Sequence, residues 1–184
     1  MFVSNGALVH IKSGATVLVN GGVQLSNSSS FTNDGSLTVT KNSTLPSPGN
    51  FFIASSSVAN GNGFYKVEQD WINDATFTAD NSSVELYGNT QQYITSNTGV
   101  STVFNQLSLT GTGIGNNRKK TLQGVDASVG LNGTLAINDR ELETQTNTFY
   151  VLNTSATAVT NTTTPGSEGF VSSLTSGVFS RATN

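Results

Sequence analysis

The chain of 184 residues carries 26 Thr, 24 Ser, 21 Asn and 19 Gly, about half of its length, against 35% hydrophobic and 10% charged residues. Ser, Thr, Asn and Gly all disfavour helix interiors, which excludes an ordinary helical enzyme, and a net charge of −3 beside that hydrophobic share excludes a disordered tail. Cysteine is absent, so no disulfide or thiolate site exists, and a pI of about 4.9 gives no basic footprint for nucleic acid.

Taken in chain order, the strand signal is short and recurrent. Apolar and polar residues alternate in Val9-x-Ile11, Val17-x-Val19, Val23-x-Leu25 and Leu37-x-Val39, and again in Val84-x-Leu86, Leu107-x-Leu109 and Leu135-x-Ile137. Period-two alternation bounded by Gly and Asn predicts half-buried strands. Phe51-Phe52-Ile53 is expected to be core. Over Phe64 to Ala75 a helical face of Phe64, Val67 and Trp71 competes with strand alternation, and a strand is the better reading. Lys41 to Asn50, with two of the three prolines, reads as a loop, and Asn153 to Glu168 as weakly specified strand or loop.

The strands resemble one another: a small or polar lead-in, two apolar residues around a polar one, then Asn, Thr or Gly. Equivalent apolar positions lie 20 residues apart from Val17 to Leu37, 23 from Val84 to Leu107 and 28 from Leu107 to Leu135. Irregular repeats of this length predict a parallel β-solenoid, one domain over residues 1–184, of roughly eight rungs. Asn-Gly pairs at 5–6, 20–21, 60–61, 62–63 and 132–133 suit its tight corners. Asn-Gly is also the preferred two-residue hairpin turn, so an antiparallel β-sandwich is the rival fold.

No run approaches the ~18 apolar residues of a membrane helix, so no membrane insertion is expected. The start lacks the basic and apolar regions of a signal peptide. Low charge nevertheless favours a secreted or cell-surface address, because intracellular domains carry about 25% charged residues. Six Asn-x-Ser/Thr sequons, from Asn27 to Asn161, are expected by chance in such a composition.

Candidate chemistry is sparse. His10, the single histidine, lies between Val9 and Ile11 on the expected outward face, so neither a catalytic triad nor a histidine metal site is expected. No cofactor is expected. Glu68, Asp70, Asp74 and Asp80 form the densest acidic cluster, and alternation would set Glu68 and Asp70 on one face beside Lys66. Paired carboxylates are the acid and base of glycan-active enzymes, so a β-helix lyase or hydrolase is one alternative function; a solvated polar face is the plainer reading. Trp71, Tyr65 and Tyr87 would offer a sugar-stacking platform if exposed, the mark of a carbohydrate-binding module, although Trp71 lies in phase with core Val67. Arg118, Lys119 and Lys120 could contact an anionic polysaccharide or a partner, or simply charge a loop end against aggregation.

The stretch Trp71-Ile-Asn through Phe77, Val84-Glu-Leu86-Tyr-Gly88 and Gln92-Tyr-Ile94 resembles a block of large secreted surface proteins of Bacteroidetes. Thr102-Val-Phe104-Asn-Gln-Leu107, Gly133-Thr-Leu135-Ala-Ile137 and the closing Phe170-Val171 to Arg181 resemble the elements that follow it there. Such proteins are typically cargo of the type 9 secretion system, often gliding-motility-associated or adhesin-like and built from β-solenoid repeats. The resemblance implies a noncatalytic structural or adhesive module, an N-terminal part of a longer surface protein. Its implied partners are other surface proteins, further repeats of its own chain, a second copy or surface polysaccharide. The sorting domain of that family does not follow in the sequence, and the resemblance supplies no catalytic residue.

Overall fold

A computed structural model describes residues 1–42, 44, 48–162 and 167–183. The parts of the two expected loops at 43, 45–47 and 163–166 lie outside the described residues.

The described residues wind through eight rungs. The first comprises β1 (Phe2–Val3), β2 (Leu8–Ile11) and β3 (Thr16–Asn20); the second, β4 (Val23–Leu25), β5 (Ser30–Asn33) and β6 (Ser36–Thr40). The third holds β7 (Phe51–Ile53), β8 (Val58–Asn60) and β9 (Phe64–Val67); the fourth, β10 (Trp71–Asn73), β11 (Thr76–Phe77) and β12 (Ser83–Leu86). Two long strands mark the fifth and sixth: β13 (Gln92–Thr95) with β14 (Thr102–Leu109), and β15 (Lys119–Gln123) with β16 (Ala127–Asn138). The seventh is β17 (Glu141–Glu143), β18 (Thr148–Val151) and β19 (Val159–Asn161), and the eighth β20 (Phe170–Ser172) with β21 (Val178–Arg181).

Every recorded strand pair is parallel, which rules out the antiparallel sandwich. The first sheet runs β1-β4-β7-β10-β13-β15-β17-β20, the second β2-β5-β8-β11, the third β3-β6-β9-β12-β14-β16-β18-β21 with β19 beside β16. The chain is a parallel β-solenoid. The three spacings read from the sequence are true registers: Val17 faces Leu37, Val84 faces Leu107, and Leu107 faces Leu135. Residues 64–75, expected as one strand, are two, because the chain turns a corner at Glu68–Asp70.

Inward residues of successive rungs stack into one core. Leu25, Leu37, Val39, Ile53, Val67, Leu86, Ile94, Leu109, Leu122 and Leu135 are all fully buried. At its middle lies an aromatic column. Phe51 stacks on Trp71 with ring centres 4.9 Å apart, and Trp71 meets Phe104 edge-on at 5.5 Å. Such pairs each add about 0.5–1.5 kcal/mol beyond their burial.

Corners follow the expected chemistry where geometry demands it. Asn5 and Gly6 both adopt positive φ (56° and 73°), the tight-turn conformation that Asn-Gly favours. Gly61 has φ 112°, and a Cβ there would lie 2.3 Å from the Asn33 carbonyl oxygen of the rung below. Gly133 instead lies inside β16, at an irregularity.

Candidate functional site

The structure brings Trp71 and Tyr65 together inside the core, ring centres 5.9 Å apart and edge-on, and leaves Tyr87 outside it. Trp71 and Tyr65 are completely buried, which corrects the stacking platform: their rings are core, packed on Phe51 and Phe77. The Tyr65 hydroxyl donates to the Asn60 carbonyl at 2.7 Å, and burial pushes the phenol well above its ordinary range. Tyr87 alone of the three faces outward, half-buried. Lys66 sits 4.9 Å over its ring, and its hydroxyl reaches the Val39 carbonyl and Glu68. Burial, then Glu68, raises this phenol to about 12.

The basic trio is likewise split. Arg118 ends a 3-10 turn (Gly115–Arg118), donates to the carbonyls of Asp139 and Glu168, and lies 5.3 Å from the Phe170 ring centre. Lys119 pairs with Glu143 at 2.7 Å and Glu141 at 3.8 Å. The hydrogen bond to Glu143 holds its ammonium above the ordinary range. Burial pushes Glu143 up, but Lys119 and Thr121 outweigh it and the carboxyl ends lower than usual.

Lys120 faces inward and is fully buried, a second correction, since a solvated loop end was expected. Alternation from Lys119 turns it into the core, in the column Gln92, Lys120, Leu142. Its Nζ donates to the Gly88 carbonyl at 3.0 Å and to Gln92 Oε1. Gln92 completes the network by accepting from Gly88 N–H at 2.7 Å and donating to the Val67 and Gln69 carbonyls. Burial brings the Lys120 pKa down to about 7, with Arg140 adding to the effect. Arg140, itself buried, is held by Asp139 and by the Gly113 carbonyl at 2.7 Å. Arg140 in turn keeps the Asp139 carboxyl below its ordinary range.

The four clustered carboxylates do not converge. Glu68 and Asp70, expected on one strand face, lie at a corner and point to different rungs: Glu68 accepts from Lys41 N–H at 2.7 Å, Asp70 from Tyr93 N–H at 2.8 Å. Burial raises the Asp70 carboxyl despite that hydrogen bond. Asp74 accepts from the amide and side chain of Asn97, and Asp80 from Gly61 N–H at 3.2 Å. Each clamps a neighbouring rung's backbone. Asp34 does the same to Asn62, and the Asn62 amide, then His10, lowers its pKa. His10 is exposed on the outward face as expected, 2.9 Å from Asp34. Among the described residues no group of three or more His, Asp or Glu is arranged for a metal ion.

Sequence reasoning missed a groove on the second face. Its sheet ends at β11, whereas the next rung's Thr102–Phe104 pairs only onward, with Ala127–Val129. Across this break lies a cavity of about 420 Å³, lined by Phe77, Asp80, Val103, Asn105, Leu131 and Asn132 among others. Between Phe104 facing Val129 and Gln106 facing Thr134, Asn105 alone opposes the four residues 130–133. This excursion lifts Leu131 out to 76% exposure beside Val103 at 46%. Gly130 and Gly133, three apart inside a strand pattern, were the available signal, since glycine within a strand marks a bulge.

Compared with known proteins, the chain matches no family model, no curated protein and no solved structure.

Proposed function

We propose that this chain is a noncatalytic structural and adhesive module of a secreted or cell-surface protein, a stiff rung-stacked rod that displays its corner loops and docks partners or further rungs. The observation that carries the reading is where its polar chemistry goes. Glu68, Asp70, Asp74 and Asp80 each hold a backbone amide of an adjacent rung, and Lys119 and Lys120 each bond a neighbouring rung. Nearest-neighbour bonding over a continuous core is how a solenoid gains stiffness. The resemblance of the segments from Trp71 to Arg181 to blocks of Bacteroidetes surface proteins supports the address and the adhesive role.

Purified protein incubated with a panel of polysaccharides is expected to release no product. Turnover that Asp70→Asn abolishes would overturn the reading in favour of a glycan-active enzyme. Trp71→Ala is no test of binding, since Trp71 is core.

A further inference from the structure

We propose that the groove across the second face is a binding site for a neutral glycan chain. The inference goes beyond the structural reading, which stands whether or not a ligand binds.

Three observations converge there. First, the β ladder of this face breaks between β11 and Thr102–Phe104, leaving a concave surface across the fourth to sixth rungs. The lining comes from three successive rungs stacked at ~4.8 Å, so it runs about 10 Å along the axis, enough to hold a short stretch of a longer chain. Second, the excursion at 130–133 holds a leucine in solvent at the lip. Exposing Leu131 and Val103 together gains nothing for folding, whereas apolar lips beside a cleft are a usual mark of a ligand site. Bulges of this kind re-aim side chains next to functional sites.

Third, the polar groups match hydroxyls. The exposed Asn132 offers a carboxamide that both donates and accepts, the half-buried Asn105 offers its Oδ1 while its Nδ2 donates to the Ser82 carbonyl at 3.5 Å, and the exposed Asp80 adds an acceptor at the rim. A sugar presents both hydroxyl edges and an apolar ring face, the combination these lips and amides offer. Among the described residues Asp80 is the one charged residue on the lining, so an anionic chain meets repulsion and a neutral one does not.

The test uses the whole chain and isothermal titration with neutral hexasaccharides of the cellulose, xylan, mannan and starch types, beside an alginate hexasaccharide as the anionic probe. At least one neutral chain is expected to bind. Leu131→Ser and Asn132→Ala should each weaken it about tenfold, roughly the loss of one good contact, while Tyr87→Ala on another face leaves it unchanged. Leu131 and Asn132 are exposed, so both variants should keep the parent's melting curve. The proposal fails if no neutral chain binds at millimolar concentration, if only alginate binds, or if binding ignores both groove variants. Any of these leaves the polysaccharide-turnover result, and so the structural reading, where it stood.

Discussion

Lys120 shows how one residue can carry a penalty inside the core, where only Gln92 beside it in the column is also polar and Leu142 on its other side is not. An ammonium taken out of water favours its neutral form, and burial brings this one to about 7 from an ordinary value near 10.4. The two acceptors on Nζ, Gly88 O and Gln92 Oε1, suit either protonation state as long as the amine donates. Arg140 pushes in the same direction as burial; Asp139 and Glu85 oppose it. Because the native value lies below the unfolded one, the unfolded chain binds the extra proton above pH 7. This group's contribution therefore rises with pH from about 7 upward and is at its most unfavourable below 7. Urea midpoints should climb from about pH 7 to 9, below the range where the tyrosines titrate. In Lys120→Met that climb should shrink, and a parent-like slope in the variant would show that another group is responsible. Nothing in the sequence marked Lys120 for burial: in Arg118-Lys119-Lys120 only the start of β15 at Lys119 decides which lysine turns inward.

At the scale of the element, corners rather than strands impose the stricter demands. Between β8 and β9 the chain turns at Gly61 over the Asn33 carbonyl, while the Asn33 side chain itself donates to the Phe64 carbonyl at 2.9 Å. Gly61→Ala must both hold a positive φ and push a Cβ into that carbonyl, so a loss of about 1–3 kcal/mol is expected. Gly99→Ala separates the two causes, since Gly99 has φ 80° but open space around it. Urea denaturation should place Gly61→Ala clearly below Gly99→Ala; equal midpoints would leave φ alone as the cause. These corners were legible because Asn-Gly is a local signal, and the registers were legible because inward alternation repeats from rung to rung. The groove was not, because a break in a ladder depends on which strands meet. The expected carboxylate face failed for the same reason: alternation says which side a residue takes only while the strand continues, and it ends at Val67.

Over the whole molecule, stability should vary along the axis. Each rung contacts its neighbours, and the aromatic column of Phe31, Phe51, Tyr65, Trp71, Phe77 and Phe104 concentrates large side chains in the second to fifth rungs. The first and eighth rungs pack less completely. Val9, Val17 and Val19 in one and Val171 and Phe179 in the other are only partly buried, whereas Leu37, Val67 and Leu107 between them are 0–1% exposed. In a stacked array the free energy of local opening follows such nearest-neighbour burial, and proteins open in contiguous units rather than evenly. Native-state hydrogen exchange should therefore show the slowest amides in β6, β9, β12 and β14, and the fastest strand amides in β2, β20 and β21. A middle rung pulled to the exchange rate of the ends by Trp71→Ala would place the aromatic column as the source of the gradient. Uniform protection from β2 to β21 would instead mean that all eight rungs open as one unit, and that the core transmits cooperativity further than pairwise stacking accounts for.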